Sequence, residues 1–132
     1  MILLDTNICI HIIKRKPASV IKHFQQHQPG DIGISAITLA ELQFGVAKSQ
    51  AQKKNQNALD EFLLPLEVLP FSESATHAYG QIRATLEKQG KPISANDLLI
   101  AAHAQSLGAL LVTNNTKEFE RIPDLQLANW VE

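Results

Sequence analysis

Residues 1–7 read MILLDTN. Three aliphatic residues, Ile2, Leu3 and Leu4, run straight into Asp5, Thr6 and Asn7. A short, wholly apolar run suits a strand buried on both faces, as in a parallel sheet. Asp5 then falls at the strand's carboxyl end, where open α/β sheets bind their ligands. Four further runs of this kind follow, at 32–35, 66–69, 110–113 and 125–128. Longer helical patterns separate them. The alternation predicts an α/β fold with a parallel sheet of about five strands and helices on both faces.

The helical patterns have clear ends. The first spans 7–16, and Pro17 starts a second that runs to Gln28, where Pro29 and Gly30 stop it. A third spans 36–48, with Ile37, Ala40, Leu42, Phe44 and Val46 expected mostly inward. The fourth spans 51–64 and ends at Pro65; the fifth spans 73–89 and ends at Gly90. The sixth, 95–107, carries DLLIAAHAQSLG at 97–108 and is apolar nearly all round, which predicts a central buried helix. Gly108 caps it.

With 132 residues, 45% hydrophobic and 19% charged, the chain fits one folded domain, 1–132, rather than a disordered segment. Cys9 is the single cysteine, so no internal disulfide forms. No apolar stretch is long enough to span a bilayer, and no secretory signal pattern opens the chain; a cytoplasmic protein is expected. The formal net charge is −1, so general basicity cannot hold nucleic acid. Any such contact needs a local basic patch, a bound cation, or both.

Three acids stand at helix starts. Asp5 can cap the helix that follows it, an ordinary use of Asp, or serve a site. Glu41, in TLAELQFG at 38–45, has Thr38 three residues before it, a capping-box spacing. Helical side chains tilt towards the N-terminus, so Glu41 can also point back to the preceding strand end. Asp97, in SANDLLIAAHA at 94–104, has Ser94 in the same spacing. It heads the most apolar helix and lies at the core boundary, although a helix rather than a strand precedes it. If the three converge they repel one another. A hard divalent cation removes that conflict, and Mg²⁺ or Mn²⁺ suits carboxylate oxygens better than Zn²⁺ does.

In order, LLDTN at 3–7, AELQFG at 40–45, NDLLIAAHA at 96–104 and LVTNNTKEF at 111–119 resemble the PIN-domain ribonucleases, and more narrowly the VapC toxins of bacterial toxin–antitoxin pairs. The resemblance covers essentially the whole chain. It implies a three-layer α/β/α sandwich and Mg²⁺- or Mn²⁺-dependent hydrolysis of RNA phosphodiester bonds, with tRNA or another structured RNA as substrate. It maps Asp5 and Asp97 as direct metal ligands and Glu41 as holder of a bound water or a second metal. Many members carry another acid after the fourth strand, where this chain reads Thr113, Asn114 and Asn115. Glu118, a turn further on, either supplies that oxygen or is a solvated helix-face acid; Asn114 or Asn115 can instead hold a water or a phosphate. The resemblance also implies a homodimer and a VapB-type antitoxin wrapping over a groove near the third and fourth helices. An antitoxin Arg or Lys there could imitate the cation.

Other residues have plainer readings. His23 and His27 are spaced i, i+4 without an H-E-x-x-H pattern and read as a surface pair. His103 reads as a satisfied core residue, and Cys9 as a small buried apolar one. Lys14, Arg15 and Lys16 are placed at the far end of the first helix, away from the acids. Arg83, Lys88, Lys91, Lys117 and Arg121 are scattered candidates for phosphate contacts. A haloacid-dehalogenase phosphatase needs a second Asp where Asn7 stands. A dinucleotide fold needs G-x-G-x-x-G after the first strand, which is absent. A PIN-like module that only binds RNA or protein is the remaining alternative.

Overall fold

A computed structural model describes residues 1–131. The elements run β1 (Ile2–Leu4), α1 (Thr6–Lys14), α2 (Ala18–Gln25), β2 (Ile32–Ser35), α3 (Ala36–Ala47), α4 (Gln52–Leu63), β3 (Glu67–Leu69), α5 (Glu73–Lys88), α6 (Ala95–Leu107), β4 (Leu110–Val112), α7 (Thr116–Phe119) and β5 (Leu127–Ala128). All strand pairs are parallel, in the order β3-β2-β1-β4-β5. The run of Ile2, Leu3 and Leu4 is therefore the central strand. Leu3 pairs with Gly33 on one side and Leu111 on the other.

Successive side chains of a strand face opposite sides of the sheet. Leu3 and Leu111 pack with Ile82, Leu86, Leu98, Ala101 and Phe119, so α5, α6 and α7 cover that face. Leu4 and Val112 pack with Ile8, Val20, Leu42, Leu59 and Phe62 beneath α1 to α4. The result is the expected three-layer α/β/α sandwich. α6 is the buried helix its composition suggests, with Leu98 and the run Ile100 to Ala104 inside. Gly108, at φ +61°, closes it in a left-handed turn that costs a non-glycine residue strain. Among the described residues no helix is long and apolar enough to cross a membrane.

Several boundaries differ from the sequence pattern. α1 stops at Lys14 because Arg15 turns left-handed, φ 59°, and its N–H closes on the last carbonyls. α2 ends at Gln25, and the Asp31 carboxylate accepts the Gln28 N–H in the turn beyond. β5 shrinks to two residues at the sheet edge, after a turn in which Asp124 has φ 66°. α7 is a single turn that no periodicity marked out. On α3, Ala40 and Phe44 are exposed rather than inward, Phe44 by 65%; Thr38 and Leu42 are the buried positions. α3 reaches both core clusters, through Ile37 on one side and Leu39, Leu42 and Val46 on the other, and leaves Phe44 to solvent.

Candidate active site

The strand order places β1 beside β4, with β2 and β3 on one side and β5 on the other. The chain reverses its winding between β1 and β4, so a crevice forms at their carboxyl ends. Asp5 and Thr113 are the residues that directly follow those two strands. They meet there: the Thr113 hydroxyl donates to the Asp5 carboxyl, and Thr113 Oγ1 accepts the Asn115 N–H.

Asp5 is 4% exposed. It does cap α1, since Oδ1 accepts the Ile8 N–H at 2.9 Å. A cap alone does not account for its environment. Burial pushes its pKa up to about 6, against the hydrogen bonds from Thr113 and Ile8, and the charges of Asp97 and Glu41 push the same way. Asp97 is also raised, first by burial and then by Glu118 and Glu41. Three acids that are 36 and 56 positions apart in pairwise sequence order (5, 41, 97) thus share one electrostatic neighbourhood.

Glu118 joins them. Oε1 accepts the Ser94 N–H at 3.0 Å and Oε2 accepts from Asn115 Nδ2 at 2.8 Å, so it is not a free helix-face acid. Its carboxyl is close enough to Asp97 to push the Asp97 pKa up. Asn115 is occupied in holding Glu118. Glu41 is held in the same manner: Thr6 Oγ1 donates to Oε1, and Asn96 Nδ2 donates to Oε2 at 3.1 Å.

Thr6, Asn96, Ser94 and Asn115 were not among the residues singled out as site residues for these contacts. Their one sequence signal is adjacency: Thr6 follows Asp5, and Asn96 precedes Asp97. The starts of α1 and α6 therefore each supply an acid and a neutral donor for Glu41.

The donor set is all oxygen, which matches a hard cation rather than Zn²⁺. Desolvated Asp5 and the mutual repulsion of the acids are conditions that a cation relieves. As the side chains stand, no three His, Cys, Asp or Glu among the described residues form a set able to hold a metal ion. The outer glutamates have both oxygens engaged by neutral donors instead.

One cleft borders Glu41 and a second lies beside the entry to α6. One, of about 280 Å³ between α1, α3 and α4, is lined by Ile10, Ile13, Leu42, Val46 and Leu59, with Glu41 and Lys14 also on its wall. Lys14 is thus beside an acid, contrary to its expected remoteness. The other, of about 190 Å³, lies between α5 and the stretch that leads into α6.

The remaining candidates are structural. His103 is buried and pairs through Nδ1 with Ser35 Oγ at 2.7 Å, with burial lowering its pKa. Cys9 is fully buried, which raises its thiol pKa. His23 and His27 are half-buried and both stack on Trp130, so the pair belongs to packing rather than open surface.

Comparison with known proteins places this site in context. Residues 2–125 match the PIN domain. The chain is 50% identical to Ribonuclease VapC2 of Rickettsia felis, covering 97% of this chain and 96% of the relative. It is 46% identical to the tRNA(fMet)-specific endonuclease VapC of Shigella flexneri, again over 97% and 96%. It is also similar to a chain in the crystal structure of VapBC2 from Rickettsia felis bound to a DNA fragment from their promoter. The TM-score there is 0.93 at 48% identity, covering 98% of this chain and 99% of that one.

Proposed function

The chain belongs to the PIN-domain family, in its VapC group, and from that premise we propose that it is the toxin of a toxin–antitoxin pair, a divalent-cation-dependent endoribonuclease. The observation that carries this reading is the desolvated Asp5 at the switch point, with Asp97, Glu41 and Glu118 around it. A protein does not bury a carboxylate among other acids for stability, because burial without a counter-charge destabilises.

Asp5 and Asp97 would hold Mg²⁺ or Mn²⁺, with Glu41 and Glu118 as the outer oxygens. When bound, the cation supplies Lewis-acid activation of water and offsets charge that builds on the phosphate. Both carboxyls would have to be ionised to hold it, so protons would compete with the cation as pH falls towards the raised Asp5 value of about 6. Thr6 and Asn96 fix Glu41, and Ser94 and Asn115 fix Glu118, so the outer carboxyls are oriented before substrate arrives. Hydrolysis adds water across one P–O bond of the RNA, and no side-chain nucleophile is required.

The substrate is RNA, with tRNA foremost, since the Shigella flexneri relative is named for tRNA(fMet). Purified protein incubated with bulk tRNA and Mg²⁺ is expected to give discrete fragments, none with a chelator and none from Asp5→Asn. RNA binding without cation-dependent cleavage would leave the non-catalytic module instead.

The partner is a VapB-type antitoxin, as in the VapBC complex that the chain resembles. Its seat is the apolar cleft between α1, α3 and α4. Because Glu41 is on that wall, a segment lying in the cleft can bring a Lys or Arg to the acids in place of the cation. Loss of Mg²⁺ binding on adding the antitoxin is the expected result; unchanged Mg²⁺ binding contradicts it. The toxin is a homodimer in this reading, with exposed Phe44 of α3 a candidate contact. Sedimentation of the wild type and Phe44→Ser tests that part.

A further inference from the structure

The sequence offers basic residues in many places and does not choose among them. The structure brings two of the chain's three arginines to one short stretch. Residues 91–95 join α5 to α6 and lead directly to Asn96 and Asp97. Arg121, beyond α7, donates from Nη1 to the Pro92 carbonyl at 3.0 Å. Arg83, on α5, lines the cleft whose other wall is Pro92, Ile93 and Ala95. The same stretch is tied to the acids, since the Ser94 N–H donates to Glu118. Arg15, the third arginine, ends α1 and lines a different cleft with Ile21, Phe24 and Glu61.

We propose that residues 91–95, with Arg83 and Arg121 against them, form the track by which the phosphate backbone of the RNA substrate reaches the acid cluster. This inference rests on the ribonuclease reading above.

Four carboxyls at one sheet edge repel a polyanion, and a net charge of −1 offers no general attraction. Substrate must therefore meet concentrated positive charge beside the acids. Arginine suits this, because a guanidinium binds phosphate oxygens in a two-pronged manner and keeps its charge at any working pH. Each guanidinium carries five donors. Arg121 has one engaged by Pro92, and Arg83 has two, Nε to Glu87 and Nη1 to Tyr79, both at 2.8 Å. The rest have no acceptor among the described residues. The Arg83–Glu87 pair is more than half exposed, so it holds the guanidinium in place without taking it out of reach of an incoming phosphate. Lys91 lies within the same stretch. The flank beyond Glu41 is unsuitable: its cleft is walled by Ile10, Ile13 and Val46, and Lys14 is its single basic residue. Phosphate oxygens there would lose water without gaining donors.

The test is the salt dependence of binding. Each phosphate contact to a single strand contributes about 0.7 to the slope of log K against log salt. Fluorescence anisotropy would follow a labelled single-stranded RNA of about 20 nucleotides between about 50 and 200 mM KCl. All proteins would carry Asp5→Asn, so that RNA is bound and not cut. Arg83→Gln and Arg121→Gln are each expected to flatten the slope by about 0.7, and the double variant by about 1.4. Lys53→Gln/Lys54→Gln, on α4, is expected to leave the slope unchanged. In the otherwise native chain the arginine variants should raise KM with kcat little changed, and thermal melting should show each folded. Arg121→Lys keeps the charge and is expected to restore the slope.

A double arginine variant with the parent's slope, or equal flattening by the α4 lysines, overturns the track. If the native protein still cleaves RNA, the ribonuclease reading survives that result. A native protein that neither binds nor cleaves RNA overturns both.

Discussion

The two flanks of the acid cluster differ in chemistry although they are built by the same device, a helix start beside a strand end. Beyond Glu41 the surface is apolar, a cleft between α1, α3 and α4 walled by isoleucine, leucine and valine. Beyond Asp97 and Glu118, backbone and carboxamide donors hold the acids and two arginines lie against a loop whose cleft is otherwise lined by Leu86, Pro92, Ile93 and Leu98. An apolar wall fits a peptide's side chains, whereas exposed guanidinium groups fit phosphates. In the proposed function the apolar flank takes the antitoxin and the arginine flank the RNA, with the acid cluster between them.

The largest expected effect falls on the acids common to both flanks. Asp5→Asn should lower cation-dependent RNA cleavage by about 1000-fold or more, read in single-turnover assays. Asn retains the α1 cap, so circular dichroism should show an intact fold. Comparable loss from acids on one flank only would break the symmetry of the cluster.

The next concerns stability without cation. The Asp5 pKa is about 6 in the folded chain against an ordinary 3.8. An acid raised in this way binds more protons folded than unfolded between those values. Its charge therefore costs nothing below about pH 4, and the cost grows as pH rises to about 6 and is constant above. The full penalty is on the order of 3 kcal/mol. Asp5→Asn should be the more stable protein at pH 7.5 in chelator, and the gap should close by pH 4, as urea denaturation would read. An equal gap at both pH values contradicts the burial argument.

Smaller effects separate the flanks. Asn96→Ala removes one donor from Glu41 and should reduce cleavage about 10- to 100-fold, as lost support around a metal ligand does. Asn115→Ala does the same for Glu118, and the ratio of the two losses ranks the outer carboxyls. Smallest of all, Val46→Ser on the apolar wall should weaken antitoxin binding by about 1–2 kcal/mol and leave RNA cleavage unchanged. A fall in cleavage instead would place substrate on that flank as well.

Much of the fold was legible because its strands are continuous apolar runs. The five runs, the parallel sheet and the buried α6 all follow from hydrophobic pattern, which reports burial directly. Phe44 and Ala40 were misplaced because periodicity marks an apolar face without saying whether another element covers it. α7 was missed because one turn has no period. Within the site, Asp5, Glu41 and Asp97 are candidates by their positions at element ends and by family resemblance, while their electrostatic coupling shows only in the fold. The supports were harder to see, because Thr6 and Asn96 serve an acid distant in sequence, and neutral donors, Asn115 among them, leave no charge pattern. The association of Arg83 with Arg121 was likewise hidden, as it depends on the path of residues 91–95.

The central claim is that acids from distant parts of the chain jointly bind a hard cation. Calorimetric titration of Mn²⁺ into the native protein and into Asp5→Asn, Asp97→Asn and Glu118→Gln, at pH 7.5, tests it most directly. Binding by the native chain is expected, abolished by either Asp substitution and weakened by Glu118→Gln. Binding of equal strength to all four proteins, or to none, would contradict it.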